Sequence, residues 1–175
     1  MEATELIEKL LDMNEGAIEM ALDGLPDEQF NEAPTTETNH IGWILWHKTR
    51  VEDAVIAHVS GGSQVWTDGG WGEKFGVDPA PNNIGLGHSL ETVHAIKPSK
   101  AGLSEYAKAV REKTKAALKT ISPEELDKEI PDFIPNQTIR AGELLGRALL
   151  IDNVMHSGQV MYLRGYYTGF GWLPF

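Results

Sequence analysis

The stretch Ala148-Leu149-Leu150-Ile151-Asp152-Asn153-Val154-Met155 constrains the fold more than any other feature, because it is apolar on every side except at Asp152 and Asn153. A helix that is hydrophobic all round belongs inside a protein, so this segment predicts other helices wrapped around it. A carboxylate in such a place costs several kcal/mol unless a cation or several hydrogen bonds compensate it. Asp152 therefore needs a partner. His156 stands four residues on, and at about 100° per residue the two share one helical face, one turn apart. Gln159 and Leu163 continue that face.

The remaining chain supplies helices for the wrapping. Leu6, Leu10, Met13, Ala17 and Met20 recur at steps of four and three, predicting a first helix from about Thr4 to Asp23 that ends near Gly24 and Pro26. A second is marked by Ile41, Ile44, Leu45, Lys48, Val51, Val55 and Val59; the cluster Thr35 to Asn39 offers caps, and Gly61 and Gly62 stop it. Residues 61–97, rich in Gly and Pro, form a long connection with a short helix at Ser89 to Ala95. A connection of that length is usually functional or disordered, and Trp66, Trp71 and Phe75 argue that it packs against the body. Tyr106, Val110 and Ala117 mark a helix from Leu103 to Leu118, and Ser122-Pro123-Glu124-Glu125 starts another with an N-cap serine and Pro at the first helical position. A last long helix is expected from about Ala141 to Leu163, and few segments suggest strands. A weak echo relates Ala21-Leu22, Leu25, Glu28 and Phe30 to Ala117-Leu118, Ile121, Glu124 and Leu126 at constant offset. The expectation is one all-α domain over residues 1–175, a four-helix bundle of up-down type with a long crossover, 61–97, between its second and third long helices.

Composition narrows the function. With 26 acidic against 15 basic side chains the formal net charge is -11, which speaks against nucleic-acid or anionic-membrane partners, since both need clustered Lys and Arg. The absence of cysteine excludes disulfides, thiolate ligands and a Cys nucleophile, so any metal must sit on His, Asp, Glu or carbonyl oxygens. No run approaches the roughly 20 apolar residues of a membrane span, and the acidic N-terminal pattern is unlike a signal peptide. The sequence thus predicts a soluble, cytoplasmic protein.

The second helix offers a complement to Asp152 and His156. Trp43-Ile44-Leu45-Trp46-His47 is mostly apolar and ends in a histidine, so His47, Asp152 and His156 from facing helices make an open site of two imidazoles and a carboxylate, suited to Zn²⁺, Ni²⁺ or Fe²⁺. A metal-free Asp152-His156 hydrogen-bonded pair fits the same spacing, and His47 alone fits an interhelical contact. His40 starts the helix, His58 lies about 16 Å from His47 along its axis, and His88 and His94 fall in the connection; His58 and His94 stay available as mobile acids or bases. Trp43 and Trp46 read as core or dimer interface, and Glu52 and Asp53 as a solvated face. Arg50 reads as a surface charge or a partner for Asp53, with anion binding beside the metal as the sharper alternative. Gly158 is expected to allow close helix packing and Gln159 to support a ligand. The tail, Tyr162 to Tyr167 with Phe170 and Trp172, is expected to cover the bundle end.

Several of these segments together resemble the DinB-like superfamily, metal-binding four-helix bundles that include YfiT-type proteins and bacterial thiol S-transferases. The resemblance rests on Ile41-Gly42-Trp43-Ile44-Leu45-Trp46-His47 with Arg50, Glu52 and Asp53, and on Asp152-Asn153-Val154-Met155-His156-Ser157-Gly158-Gln159 with Leu163-Arg164-Gly165. Trp71, Phe75-Gly76, Gly85-Leu86-Gly87-His88, Tyr106, Val110 and Arg111 add to it. It implies a divalent metal held by one histidine of the second helix and two ligands four apart on the last. His47 and His156 match histidine positions of that pattern, whereas Asp152 stands where a third histidine is commonest. The added negative charge should raise the pKa of a metal-bound water relative to a three-histidine site. The implied chemistry is activation of a low-molecular-weight thiol as thiolate for S-transfer or detoxification of a small electrophile, with Arg50, His58 and Gln159 as candidate catalytic residues. Metal-dependent hydrolysis by hydroxide and a non-catalytic ligand-binding role are the alternatives, and a homodimer is implied with each.

Overall fold

A computed structural model describes residues 1–169 and 171–173 and shows a mostly helical chain. Helix α1 (Ala3–Leu22) is followed by a turn of helix, α2 (Asp27–Phe30), and by α3 (Ile41–Ser60). The connection beyond it carries α4 (Val65–Asp68), α5 (Trp71–Phe75) and α6 (Leu90–Ala95). Then come α7 (Lys100–Leu118), α8 (Pro123–Leu126), a hairpin of β1 (Glu129–Pro131) and β2 (Thr138–Arg140), α9 (Ala141–Leu144), a π-helical stretch (Leu145–Ile151) and α10 (Asp152–Thr168). The hairpin is antiparallel, with Ile130 opposite Ile139.

The ends of these helices follow local chemistry. Gly61 closes α3 in the left-handed conformation at φ 67°, and Ser122 and Glu125 form a reciprocal capping box on α8. Helices α2 and α8 stand at the constant offset of the sequence echo, one short turn after each preceding long helix. The cap of α3 is a correction: His40 itself, rather than the Thr35 to Asn39 cluster, accepts a hydrogen bond from Trp43 N through Nδ1 at 3.1 Å.

The four long helices touch in a closed ring, α1 on α10, α10 on α3, α3 on α7 and α7 on α1. Lys48 and Ile44 of α3 meet Asn153 and Leu163 of α10, so these two run antiparallel. Asp53 bonds Tyr106 and Glu52 bonds Thr114, while Val55 and Ile56 pack in the same cluster as Leu118, so α7 runs beside α3 in the same direction. Only a connection that travels back along the helices can produce that parallel pair, which is the structural reason for the length of 61–97.

The buried faces of α1 and α10 differ from the sequence reading. On α1 the inward residues are Leu11, Ile18 and Ala21, whereas Leu6, Met13 and Met20 are exposed. Two apolar stripes at helical spacing coexist on this helix, and periodicity alone does not say which meets the core. The stretch 148–155 is not buried all round, since Ile151, Val154 and Met155 face outward while Leu149 and Asn153 are enclosed. Gly158 makes no close packing either; a Cβ placed there would meet nothing within 4 Å.

The π-helical stretch explains how α10 joins α9 without a break in burial. Leu145, Leu149, Asn153 and Ser157 are all buried at successive steps of four, and a regular helix would rotate such a series by about 40° per step. The wider π turn absorbs that drift and delivers Asp152, immediately after it, toward α3. Of the tail, Trp172 packs on the core cluster, and Phe170 lies outside the described residues.

Candidate metal centre

His47 is carried on the buried middle of α3, and Asp152 and His156 lie one turn apart on α10. One ligand atom from each lies within 4.8 Å of the other two. The imidazoles meet edge to face, with ring centroids 4.8 Å apart, and His156 Nε2 is 3.4 Å from Asp152 Oδ1.

Each imidazole has one nitrogen already engaged. His47 Nδ1 donates to the carbonyl of Ile84, and His156 Nδ1 donates to Gln159 Oε1 at 2.8 Å. A neutral imidazole carries one N–H, so these bonds leave both Nε2 atoms as lone-pair donors, the usual outer-shell arrangement around a ligating histidine. The third donor is more telling. Asp152 Oδ2 is buried and has no hydrogen-bond partner among the described residues. A buried carboxylate oxygen without a partner, on one of three residues whose candidate ligand atoms lie within 4.8 Å of one another, is what a divalent cation satisfies, so the residues present fit a metal.

The electrostatics of the two rings diverge. Burial pushes the His47 pKa below the ordinary 6.5, outweighing the Ile84 carbonyl and the Asp152 charge that favour the cation. Burial also acts downward on His156, but hydrogen bonds to Asp152 and Gln159 with the Asp152 charge win, and its pKa lies above 6.5. Of the two rings, His156 is therefore the one whose charged form its surroundings favour.

Gln159, the hydrogen-bond partner of His156, also lines a surface cleft together with Thr38, Ile44, Met155, Tyr162 and Leu163. The other sequence candidates are placed elsewhere. His58 Nε2 donates to the Pro131 carbonyl at 2.8 Å beside the hairpin, and His94 Nε2 donates to the Thr38 carbonyl at 2.9 Å. Gln159 does reach the site, through His156.

Arg50, Glu52 and Asp53 require correction, because all three are buried rather than solvated. Arg50 does pair with Asp53, at 3.2 Å, and has no donor left for an anion. Glu52 accepts from Arg111 at 3.0 Å and Thr114 at 2.8 Å, and lies 3.4 Å from Asn153, whose Oδ1 accepts from Lys48 at 2.9 Å. This network ties α3, α7 and α10 together just behind the candidate ligands. Charged letters on a helix read as surface because their partners stand far along the chain.

Sequence reasoning missed the contribution of the connection. Trp43 stacks on His47 with centroids 5.1 Å apart and planes 6° apart, and Gly85 crosses close to both rings. Gly85 has φ +95°, and a Cβ there would stand 2.9 Å from His47 Nδ1, so this crossing requires glycine. The glycines flanking His88 were the available signal, although nothing in their spacing pointed to His47.

Comparison with curated proteins gives no significant match. A crystal structure of a conserved protein from Enterococcus faecalis superposes with a TM-score of 0.81 at 28% identity, covering 94% of this chain and 96% of that one. The sequence pattern of the DinB superfamily matches residues 10–160, from the first helix through both histidine segments. The chain belongs to the DinB superfamily.

Proposed function

We propose that the protein is a divalent-metal-dependent enzyme that uses a low-molecular-weight thiol against a small electrophile, with His47, Asp152 and His156 as metal ligands. The observation that carries this reading is the buried Asp152 Oδ2, without a partner among the described residues, in one group with two imidazoles whose Nδ1 atoms are already engaged. Two nitrogens and one carboxylate oxygen suit Zn²⁺, Ni²⁺ or Fe²⁺ and leave coordination positions open. A bound ion supplies Lewis acidity that keeps a thiol as its nucleophilic thiolate near neutral pH.

The chain's own residues do the remaining work. Ile44, Met155 and Leu163 give the neighbouring cleft an apolar wall, and the exposed ring of Tyr162 offers a flat surface against which an electrophile can rest. Gln159 holds the His156 ring in place. In the transfer, sulfur forms the bond to the electrophilic carbon and the leaving group departs with its electron pair. The proton lost from the thiol balances the charge. Hydrolysis without thiol finds no support in the geometry, because Glu52 is enclosed by Arg111 and Thr114, and His58 and His94 are bonded elsewhere.

The same reading takes residues 1–175 as one four-helix bundle with the crossover at 61–97, acting in the cytoplasm as a homodimer. Support for the dimer comes from Leu6, Met13 and Met20 on α1 and Ile151, Met155, Tyr162 and Tyr166 on and beside the adjacent α10, all exposed. The test is metal content of the purified protein by inductively coupled plasma mass spectrometry, followed by thiol-transfer assays. Near-stoichiometric metal lost in His156→Ala, with turnover that requires both metal and thiol, is expected. Failure to bind Zn²⁺, Ni²⁺ or Fe²⁺ overturns the reading and leaves a structural Asp152-His156 pair.

A further inference from the structure

Arg50 lies three residues beyond His47 on α3 and is fully enclosed. Every donor of its guanidinium is used. Nε donates to the Asn83 carbonyl at 3.1 Å, Nη1 to Asp53 Oδ2 at 3.2 Å and Tyr106 Oη at 3.1 Å, and Nη2 to Gln64 Oε1 at 2.8 Å and the Pro81 carbonyl at 2.9 Å. Its plane also lies over the Trp66 ring, 4.5 Å from the centroid. Three of the five acceptors therefore belong to the connection, and two of them, Pro81 and Asn83, are main-chain carbonyls just before Ile84. Five fixed hydrogen bonds from one planar group define both the position and the orientation of that backbone, which a lysine with three donors on a flexible stem does not do.

Immediately after Asn83 come the Ile84 carbonyl, which accepts His47 Nδ1–H, and Gly85, pressed against the same ring. A histidine whose Nδ1 carries the proton presents Nε2 as its lone pair, and the choice between tautomers is set by the bond the first nitrogen makes. We infer that Arg50 is a positioning residue for His47: by clamping the backbone of Pro81 and Asn83 to α3, it sets the Ile84 carbonyl against Nδ1 and selects the tautomer whose Nε2 faces Asp152 and His156. Asp53 completes the clamp from the other side. Its carboxylate accepts from Val65 N and Trp66 N, each at 2.8 Å, and from Tyr106 Oη at 2.8 Å, so the start of the connection is tied to the same helix turn. The role rests on the reading of His47 as a metal ligand for its consequence, but the tautomer itself does not need the metal.

That independence defines the test. In the full-length, metal-free protein, long-range ¹H–¹⁵N correlation spectra report which ring nitrogen of His47 is protonated, with assignment by loss of the signal in His47→Gln. The wild type should show the Nδ1–H tautomer. Arg50→Lys, which keeps the charge, should yield mixed tautomers and weaken Co²⁺ binding by about 10- to 100-fold, the range for outer-shell partners of metal ligands. Leu118→Ala, a core truncation at the far end of α7, should lower stability while leaving tautomer and affinity unchanged. Should Arg50→Lys fail to fold, Gln64→Ala removes one of the clamp's acceptors in the connection, and a smaller shift of the same kind is expected. An Nε2–H tautomer in the wild type, an unaltered one in folded Arg50→Lys (or in Gln64→Ala where Arg50→Lys does not fold), or an equal change in Leu118→Ala overturns the inference. A wild type that binds no Co²⁺ yet shows an Arg50-dependent Nδ1–H tautomer upholds the positioning role and overturns the metal reading alone.

Discussion

Two polar clusters hang on neighbouring turns of α3 and are built on opposite terms. Around Arg50 and Asp53 every donor and most acceptor sites are paired, and both side chains are at most 2% exposed. Around His47, Asp152 and His156 one carboxylate oxygen has no partner among the described residues, and the Asp152 and His156 side chains are 22% and 17% exposed. A satisfied network in the interior has no capacity for a ligand, whereas an incomplete one keeps an unmet acceptor that a ligand can fill. Charge and burial alone do not tell these two clusters apart, whereas the pairing of the Arg50 donors against the unmet Asp152 oxygen does.

The largest expected effect tests that distinction directly. Asp53→Ala leaves the Arg50 cation enclosed without its counter-charge and frees two backbone N–H groups, so unfolding free energy in urea should fall by about 3–5 kcal/mol. Asp152→Ala, whose ion pair with His156 is part-exposed, should change metal-free stability by less than about 1 kcal/mol. Equal losses in the two variants would break the comparison.

Ligand linkage sharpens it from the other side. Zn²⁺ at 100 times its dissociation constant should stabilise the native state by about 2.7 kcal/mol, and a chelator should remove that gain. Asp152→Asn should abolish the increment, whereas Lys113→Ala, remote on the surface of α7, should retain it. Stabilisation that survives Asp152→Asn would place the ion elsewhere.

Much of the site was legible because its signals are local. His47 ends an apolar run, Asp152 and His156 sit at one helical turn, and Gly61 and the Ser122 capping box stop and start helices through their own backbone chemistry. The Arg50 clamp was not legible, because its acceptors are carbonyls of Pro81 and Asn83, and a carbonyl is the same at every residue. The inward face of α1 was missed because Leu6, Met13 and Met20 have the same spacing as a core stripe. Burial of Glu52 and Asp53 depended on partners in α4 and α7 that no local pattern reveals.

A third histidine extends the comparison to pH. His40 is enclosed, with Nδ1 accepting from Trp43 N and Nε2 donating to the Val93 carbonyl at 3.1 Å, and burial, with smaller contributions from His94 and Lys97, holds its pKa below 6.5. A ring with a lowered folded pKa takes up its proton first in the unfolded chain, so its contribution is fully present above about pH 6.5 and is lost as pH falls toward the folded value. Denaturation midpoints measured between pH 7.5 and 5 should therefore decline. The decline should be smaller in His40→Asn, since asparagine caps a helix without titrating. His156, shifted upward, works in the opposite sense, so an unchanged slope in His40→Asn would assign the acid sensitivity to some other group.

The smallest effect concerns Gly158, which lines the cleft mouth on α10 with open space where a Cβ would stand. Glycine inside a helix costs roughly 0.5–1 kcal/mol relative to alanine, chiefly through the freedom it gives the unfolded chain. In an isolated protomer Gly158→Ala should therefore raise stability by about that amount and leave Zn²⁺ affinity unchanged, because no ligand or clamp residue touches the new methyl. The outcome also bears on the exposed side chains around it, Met155 and Tyr162. If the substitution instead destabilises, and does so more strongly at high protein concentration, the space is filled by a second copy of α10 whose backbone needs the missing side chain. The glycine would then serve close helix packing after all, between protomers rather than within one, and the open cleft would be the half of an enclosed site that a single chain can build.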